Sequence, residues 1–366
     1  MSTEVTPGMF SLAEAKVSWK APWVMAAFSA LVFIGFGLLG RAEPVVYTLT
    51  ADDSAIQLPA IEAMSNNVGM TMGIVMFLIT ALSFFWVITK RAVPLWWSLV
   101  FGLVAVTALL GWLAAGDRVP VAFILGNAIV LAIPIMFGGM AGVMSERVGV
   151  VNIAIEGQML TGAFVAAVVG TLTGSLYVGL IAAMAAAALV STILAVFAVR
   201  YLVDQIIVGV VLNVLVIGVT NFLYSQWLTQ DSAGSNNPGT FDIVAIPFLS
   251  EIPILGPALF ENRVTVYLAF LFIPLLWFVL FRTRLGLRAR AVGEYPMAAD
   301  TMGVNVGRTR FWWVTLGGSL AGLGGAAITI GNVGAFGQEM TGGQGFIALA
   351  VVILGRWHPF YMSAAA

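Results

Sequence analysis

The sequence predicts an all-α protein, a polytopic transmembrane helical bundle with about 9–10 spans. Three observations carry this reading. Of the 366 residues, 60% are hydrophobic and only 9% are charged, against about 25% charged in an ordinary soluble domain. The mean hydropathy of +1.01 reflects more apolar surface than a packed soluble core could hide. The charges are also bunched, which leaves charge-free stretches at 21–40, 63–89, 92–116, 119–145, 157–199, 205–230, 264–281, 311–338 and 340–355. A bilayer-spanning helix needs about 20 apolar residues, and most of these stretches reach that length. Cysteine is absent and His358 is the one histidine. Disulfides, thiolate nucleophiles, iron–sulfur clusters and multi-histidine metal sites are therefore excluded.

In chain order, residues 1–20 form a short N-terminal segment holding Lys16 and Lys20. The first span, 21–40, is longer than the roughly 7–15-residue core of a secretory signal. It ends in Leu39-Gly40-Arg41, with no small-residue cleavage pattern, so it is read as a retained helix. Spans at 68–89 and 94–115 complete an N-terminal helical region over 21–120. The core, 121–366, opens with a span at 121–144. The long stretch 157–199 holds two spans, 158–174 and 176–199, around a turn at Gly174-Ser175. Further spans follow at 205–227, 264–281 and 311–331. A tenth segment, 343–355, is shorter and glycine-interrupted.

Lys and Arg set the orientation. With the N-terminus in the cytoplasm, the cytoplasmic side receives Lys16, Lys20, Lys90, Arg91, Arg147, Arg200, Arg282, Arg284, Arg288, Arg290, Arg308, Arg310 and Arg356. Only Arg41, Arg118 and Arg263 fall outside. This asymmetry follows the positive-inside rule, and it supports the span number because the spans were drawn from hydropathy alone. Trp19, Trp23, Trp86, Trp112, Trp227, Trp312 and Trp313 fall near span ends, as an aromatic belt requires. Nothing in the charge pattern points to nucleic acid.

Three loops exceed a simple turn. Two, 41–67 with Glu43, Asp52, Asp53 and Glu62, and 228–263, are external connections. The third, 282–310, is cytoplasmic and basic. Pro296 suits the first position of a helix and Gly303 the residue just past its end. Between them Pro296–Met302 makes a helix about 10 Å long, with an apolar surface from Ala298, Ala299, Met302 and Val304. Such an element suits docking of a partner; an ordinary basic loop is the plainer alternative.

The acids Glu146, Glu156 and Asp204 each fall at a span end. None is placed near the bilayer centre, where an acid would suggest ion coupling. The segment Asn127–Gln158 is unusual: Pro134 and Gly138-Gly139 are expected to interrupt its helix, and three charges and an Asn follow between two spans. Such backbone is tolerated where it is buried in protein or lines a cavity. Glu156-Gly-Gln158 and Gly342-Gly-Gln344 each lead into a small-residue helix, a short sign of an internal repeat around a central pathway. Gly317-Gly318, Gly322, Gly324 and Gly325 crowd one helix and Ala182–Ala188 another, which suits tight packing within one subunit. Asn213 and Asn221, eight residues apart, lie close to one helical face and either line a polar path or bond neighbouring helices. Asn152, Gln158 and Asn213 are expected to face a central polar cavity, because amides facing lipid would be costly. Glu146 and Arg147 are expected to organise the cytoplasmic end of this segment.

Several strings resemble known motifs. Glu146-Arg-Val-Gly-Val-Val-Asn-Ile-Ala-Ile-Glu-Gly-Gln158 resembles the signature of permeases in the branched-chain amino acid, ribose and nucleoside group of ABC importers. Asp204-Gln-Ile-Ile-Val-Gly-Val-Val-Leu-Asn213 is similar to their next motif. Gly293-Glu-Tyr-Pro-Met-Ala-Ala-Asp-Thr-Met-Gly-Val304 resembles their cytoplasmic coupling loop, and Gly345-Phe-Ile-Ala-Leu-Ala-Val-Val-Ile-Leu-Gly-Arg-Trp-His-Pro359 their late motif. The four lie in the right order over about 121–359, closest to the nucleoside and simple-sugar branch. The first 120 residues carry no such motif.

The resemblance implies a multi-pass cell-membrane subunit, N-terminus cytoplasmic, that forms the transmembrane path with a second permease, homologous or identical. It implies two ABC ATPase subunits docked on the coupling loops, here through Glu294, Pro296, Ala298, Ala299, Met302 and Gly303, and an external substrate-binding protein. The implied cargo is nucleosides or related small polar solutes. The chain lacks the Gly-x-x-x-x-Gly-Lys-Ser/Thr loop, its only lysines being Lys16, Lys20 and Lys90. It is therefore read as no enzyme, with no cofactor of its own, ATP being used by a partner. The family pattern continues past Pro359, so the core is expected to be C-terminally truncated, with the parent reading frame supplying another span. Readings from other classes are an ion-coupled secondary carrier acting without an ATPase, and a non-transporting membrane scaffold.

Overall fold

A computed structural model describes residues 18–50 and 56–366. Lys16 and the acids Asp52 and Asp53 lie outside the described residues. Nine helices among these residues are long and apolar enough to cross a membrane: Lys20–Leu38, Ser65–Ile88, Trp96–Leu113, Val121–Glu146, Ile155–Thr173, Leu176–Arg200, Gln205–Leu228, Val264–Arg282 and Val306–Val333. Gln344–Leu354 is apolar but shorter. This is the expected polytopic helical protein, with span limits shifted by a few residues.

The chain divides into two units between Ala122 and Phe123. In the first, α1 (Lys20–Leu31) runs on through a π-helical turn, and is followed by β1 (Pro44–Thr48), β2 (Ile61–Met64), α2 (Ser65–Ile88), α3 (Leu95–Leu113) and β3 (Arg118–Pro120). Met25, Val32, Met76, Ile79, Phe101 and Ala108 form its core. The loop 41–67 is more than a plain connection. Its strand β1 pairs antiparallel with β2 and parallel with β3, and the Tyr47 hydroxyl donates to the Thr107 carbonyl at 3.2 Å.

The second unit continues α4 (Val121–Glu146) and adds α5 (Ile155–Thr173), α6 (Leu176–Ala195), α7 (Gln205–Leu223), the short α8 (Ser232–Ser235), β4 (Ile243–Ala245) and β5 (Glu261–Arg263). It then runs through α9 (Val264–Arg282), α10 (Arg284–Glu294), α11 (Pro296–Thr301), α12 (Val306–Ile328), α13 (Gln344–Leu354) and α14 (Pro359–Ala365). Gly174, at φ +64°, closes α5 in the left-handed conformation and turns the chain into α6, where the turn was expected. Helices α5, α6 and α12 pack most extensively. The reason is side-chain size. A Cβ on Gly322 of α12 would stand 2.5 Å from the Ala183 carbonyl oxygen of α6, so only glycine lets the two backbones meet. The Ser191 hydroxyl of α6 donates to the Val314 carbonyl of α12 at 2.6 Å. The helix ending in Val333 is 89% buried and α5 72%, against 17–33% for the other spans.

Two expectations need correction. Pro134 and Gly138-Gly139 do not interrupt α4, which is continuous from Val121 to Glu146. The glycine pair instead gives room to side chains of Ala348, Met159 and Met362. The non-helical stretch is 147–154. The basic loop also contains a helix not foreseen, α10, whose start is capped by the Thr283 hydroxyl accepting from the Gly286 N–H at 3.2 Å. Gly286, Ala289 and Val292 are its buried face, and its glycines and arginines hide that period in a hydropathy reading.

The topology is open to direct test in a chain without cysteine. Ser232 and Thr301 are exposed, whereas nearby Ser235 is only 1% exposed and a poor reporter. A membrane-impermeant thiol reagent is expected to label Ser232→Cys in intact cells and Thr301→Cys only after the membrane is opened. The reverse pattern would invert the orientation.

Candidate functional site

The polar centre of the second unit is Glu156, in the first turn of α5 and 5% exposed. One carboxylate oxygen accepts from the Thr341 hydroxyl at 2.6 Å and the Gly343 N–H at 2.9 Å. The other accepts from the Gly345 N–H at 2.7 Å. The two N–H groups belong to the start of α13. The carboxylate thus closes the N-terminus of α13 while sitting at the N-terminus of α5, where two helix dipoles favour negative charge. A Cβ on Gly345 would lie 2.5 Å from the Glu156 Cα, so the contact needs glycine there.

Glu156 stands in the first turn of α5, at the start of the span Ile155–Thr173. Its neighbour Ile155 packs against Gly138 and Gly142 of α4, and Gly138 stands about 12 Å along the helix from Glu146. From Gly345 to the end of α13 at Leu354 is a further estimate of about 14 Å.

The amides expected at a cavity lie together at this helix start. Asn152 and Gln158 exchange hydrogen bonds, at 3.0 Å from Asn152 Nδ2 to Gln158 Oε1 and 3.2 Å from Gln158 Nε2 to Asn152 Oδ1. Asn213 Oδ1 accepts from the Gly157 N–H at 2.8 Å, and its Nδ2 donates to the Ile153 carbonyl at 2.8 Å. Gln205 Oε1 accepts from the Val151 N–H at 3.1 Å. Exposure is 0% for Asn152 and Gln158 and 4% for Asn213. In this conformation, then, these amides face one another and the backbone of 151–157 rather than an open cavity. They satisfy groups that a non-helical segment in the membrane would otherwise leave unpaired. Asn221 instead reaches the segment between α12 and α13, donating to Glu339 Oε1 at 3.0 Å.

A second cluster joins two of the sequence motifs at the far end of α4. Arg147 donates from Nε and Nη2 to the Trp357 carbonyl at 3.1 and 2.9 Å, and Trp357 Nε1 donates to Glu146. Arg310 Nε donates to the Val148 carbonyl at 3.0 Å. Arg147 and Arg290 also stand over the Phe281 ring, at 5.6 and 5.1 Å. His358 packs between Phe281 and Tyr361, with centroids at 5.2 and 4.5 Å. Burial, with the Arg147 charge, holds its imidazole below the ordinary value.

The predicted docking residues share α11 and its flanks. Glu294, Ala298, Met302 and Gly303 are exposed and Pro296 is half-buried. Tyr295, Met297 and Met302 are the large apolar groups on the outside, with Met302 83% exposed. Ala299 is a correction: it is 5% exposed and faces the protein, because a six-residue helix lying on a surface must turn one face inward.

A family profile described as branched-chain amino acid transport system / permease component matches residues 124–366. The guanosine ABC transporter permease protein NupQ of Bacillus subtilis is 40% identical over 246 residues, 65% of this chain and 76% of the relative. The nucleoside ABC transporter permease protein NupC of Lactococcus lactis is 37% identical over 244 residues, 64% of this chain and 76% of the relative. A Haloferax volcanii protein with a provisional glucose-permease name, TsgC13, is 36% identical over 243 residues, 66% of this chain and 73% of the relative. No solved structure matches the chain.

Two predictions follow from the geometry. Glu156→Gln turns an acceptor oxygen into an NH2 that faces a backbone N–H, and leaving such groups unpaired costs about 1–3 kcal/mol. Its thermal midpoint in detergent should fall clearly below that of the parent chain; an unchanged midpoint would show that the clasp is dispensable. For His358 a lowered native pKa means that folding favours the neutral ring. Its contribution is present above the ordinary value of about 6.5 and is lost as pH falls through the native pKa. The thermal midpoint should drop between pH 7.5 and 5.5, and less steeply in His358→Phe.

Proposed function

This chain belongs to the permease-component family of branched-chain amino acid transport systems, and on that premise we propose how its parts serve transport. It is a transmembrane permease subunit of an ATP-driven ABC importer. The proposed cargo is a nucleoside or a related small polar solute, a reading supported by the two relatives named for guanosine and nucleosides. A second permease, two ATPase subunits and an external binding protein complete the assembly. The N-terminus and the segment 282–310 lie in the cytoplasm.

The observation that carries this reading is α11. Its inward face holds Ala299 against the protein, while Tyr295, Met297 and Met302 stand out into solvent. Exposed apolar groups of this size on a short surface helix call for a partner. We assign them to the ATPase contact, with Glu294, Pro296, Ala298 and Gly303 around them. Motion there reaches the span region through connected parts: Gly293 lies directly against Arg147, Arg147 holds Trp357, and α13, which ends just before Trp357, has its start bonded to Glu156. The amides Asn152, Gln158 and Asn213 border the same helix start. We propose that they line the path when the clasp opens.

The burial of Glu156 is a feature an ion-coupled carrier would share. Its oxygens are held by three neutral donors of the chain itself, which suits a structural clasp. Uptake that persists without ATP and follows a proton or sodium gradient would overturn the ABC reading.

For the docking surface, Met297→Asp should reduce ATP-dependent uptake at least tenfold in the reconstituted complex, about 1.4 kcal/mol or more, with normal membrane insertion. Ala299→Asp should instead lose folded protein, since it buries an unpaired charge. Full coupling in Met297→Asp would remove α11 from the interface. Uptake of labelled guanosine, ribose, glucose and leucine by the parent complex should be greatest for guanosine, and a hexose preference would displace the nucleoside assignment.

A further inference from the structure

A cleft of about 720 Å³ opens beside α12, on the side of the second unit that carries 282–310. Arg288, Asn305 and Arg308 line one end, and Val279, Trp312 and Leu316 are on its wall. An adjoining cleft of about 440 Å³ shares Asn305 and Arg308 and adds Arg200. No acidic residue lines either one. Arg147, Arg263 and Arg310 spend their guanidinium donors on backbone carbonyls. Among the described residues, Arg200, Arg288 and Arg308 make no such bond, and no ring or carboxylate partners them. Three unneutralised guanidinium groups therefore gather around connected space.

The rest of the larger cleft is apolar and deep. Leu316 is two turns beyond Arg308 on α12, about 12 Å further into the membrane span. Trp312, between them, is 51% exposed, as is Leu316. An indole at this level matches the boundary between headgroups and acyl chains. A soluble anion would use the arginines and leave the apolar wall empty. A soluble protein partner reaches the arginines but not a wall that rises into the hydrocarbon. An amphiphile with a phosphate at one end and a chain at the other fits both, because arginine forks match phosphate oxygens and the apolar wall accepts methylene groups.

We propose that this cleft is a binding site for an anionic phospholipid of the cytoplasmic leaflet, its phosphate held by Arg288 and Arg308 with Arg200 beside them and an acyl chain along Trp312 and Leu316. The site adjoins Met302 and Gly303, so an occupying lipid contacts the segment assigned above to ATPase docking. The inference rests on placing 282–310 at the cytoplasmic membrane face, but its test uses no transport measurement.

The test is native mass spectrometry of the purified full-length chain in mild detergent, incubated with equal phosphatidylglycerol and phosphatidylcholine. Phosphatidylglycerol should be retained at least fivefold over phosphatidylcholine. The exposed double variant Arg288→Gln/Arg308→Gln should bring the ratio within twofold, with an unchanged thermal midpoint, and Arg288→Lys/Arg308→Lys should keep most of it. Inorganic phosphate or glycerol phosphate at millimolar concentration should not displace the lipid. Equal retention of the two lipids, a preference that survives the glutamine variant, or displacement by free phosphate would each overturn the lipid site. So would stoichiometric displacement by the ATPase subunit, which would make the arginines a protein contact. Loss of ATP-driven uptake with lipid preference intact would count against the transport reading alone.

Discussion

A buried carboxylate with no cation beside it must collect neutral donors or leave its charge uncompensated. Glu156 collects three, and the fold around it follows from where they come. Two are backbone N–H groups at the start of α13, and the third is Thr341 just before it. To deliver them, the chain after α12 must fold back so that α13 begins against the first turn of α5. The stretch 147–154 makes the matching approach on the other side, leading into α5. The amides on and before α5 and α7 then become necessary, because each closes a backbone or side-chain group that this irregular approach exposes.

The same logic explains which residues were legible in the sequence. Spans were legible because hydropathy and charge are one-dimensional, and so was the turn at Gly174. The short helix at Pro296 was legible from its proline and its terminal glycine. Asn152, Gln158 and Asn213 were recognisable as amides that cannot face lipid, and the structure brings them to one helix start, Asn152 and Gln158 as mutual partners and Asn213 on the backbone of Ile153 and Gly157. What was not legible depends on contact and facing. Glu156 reads as a span-end acid, and only the fold shows that its oxygens close the start of α13. Ala299 reads like Ala298 until the helix is laid on the surface and one of the two must turn in. Pro134 reads as a break, but α4 runs through it without interruption. The signal for the clasp was present in the two Gly-Gln strings, since glycine beside a helix start permits the backbone approach that Gly345 makes.

The motifs at Glu146-Arg147 and Arg356-Trp357-His358 stand more than two hundred residues apart, yet each is the other's binding partner. Arg147 satisfies the carbonyl of Trp357 and Trp357 satisfies the carboxylate of Glu146. Both are therefore structural at first contact. They also stand beside Gly293 and Glu294 at the end of α10, just before α11 begins.

The glycine-lined α12 has a consequence for motion. A helix whose backbone touches neighbouring backbones has no side-chain layer between them to deform. It cannot rotate about its axis without collision, and it cannot slide past Ala183 or Met159 without lifting away. Helices α5, α6 and α12 therefore behave as one stiff block, and any transport cycle must leave that block intact. Flexing falls to elements outside it: the π-helical stretches Val196–Arg200 and Tyr224–Leu228 that follow α6 and α7, the non-helical approach at 147–154 and the segment between α12 and α13. In this fold glycine, the residue usually credited with suppleness, makes the rigid part.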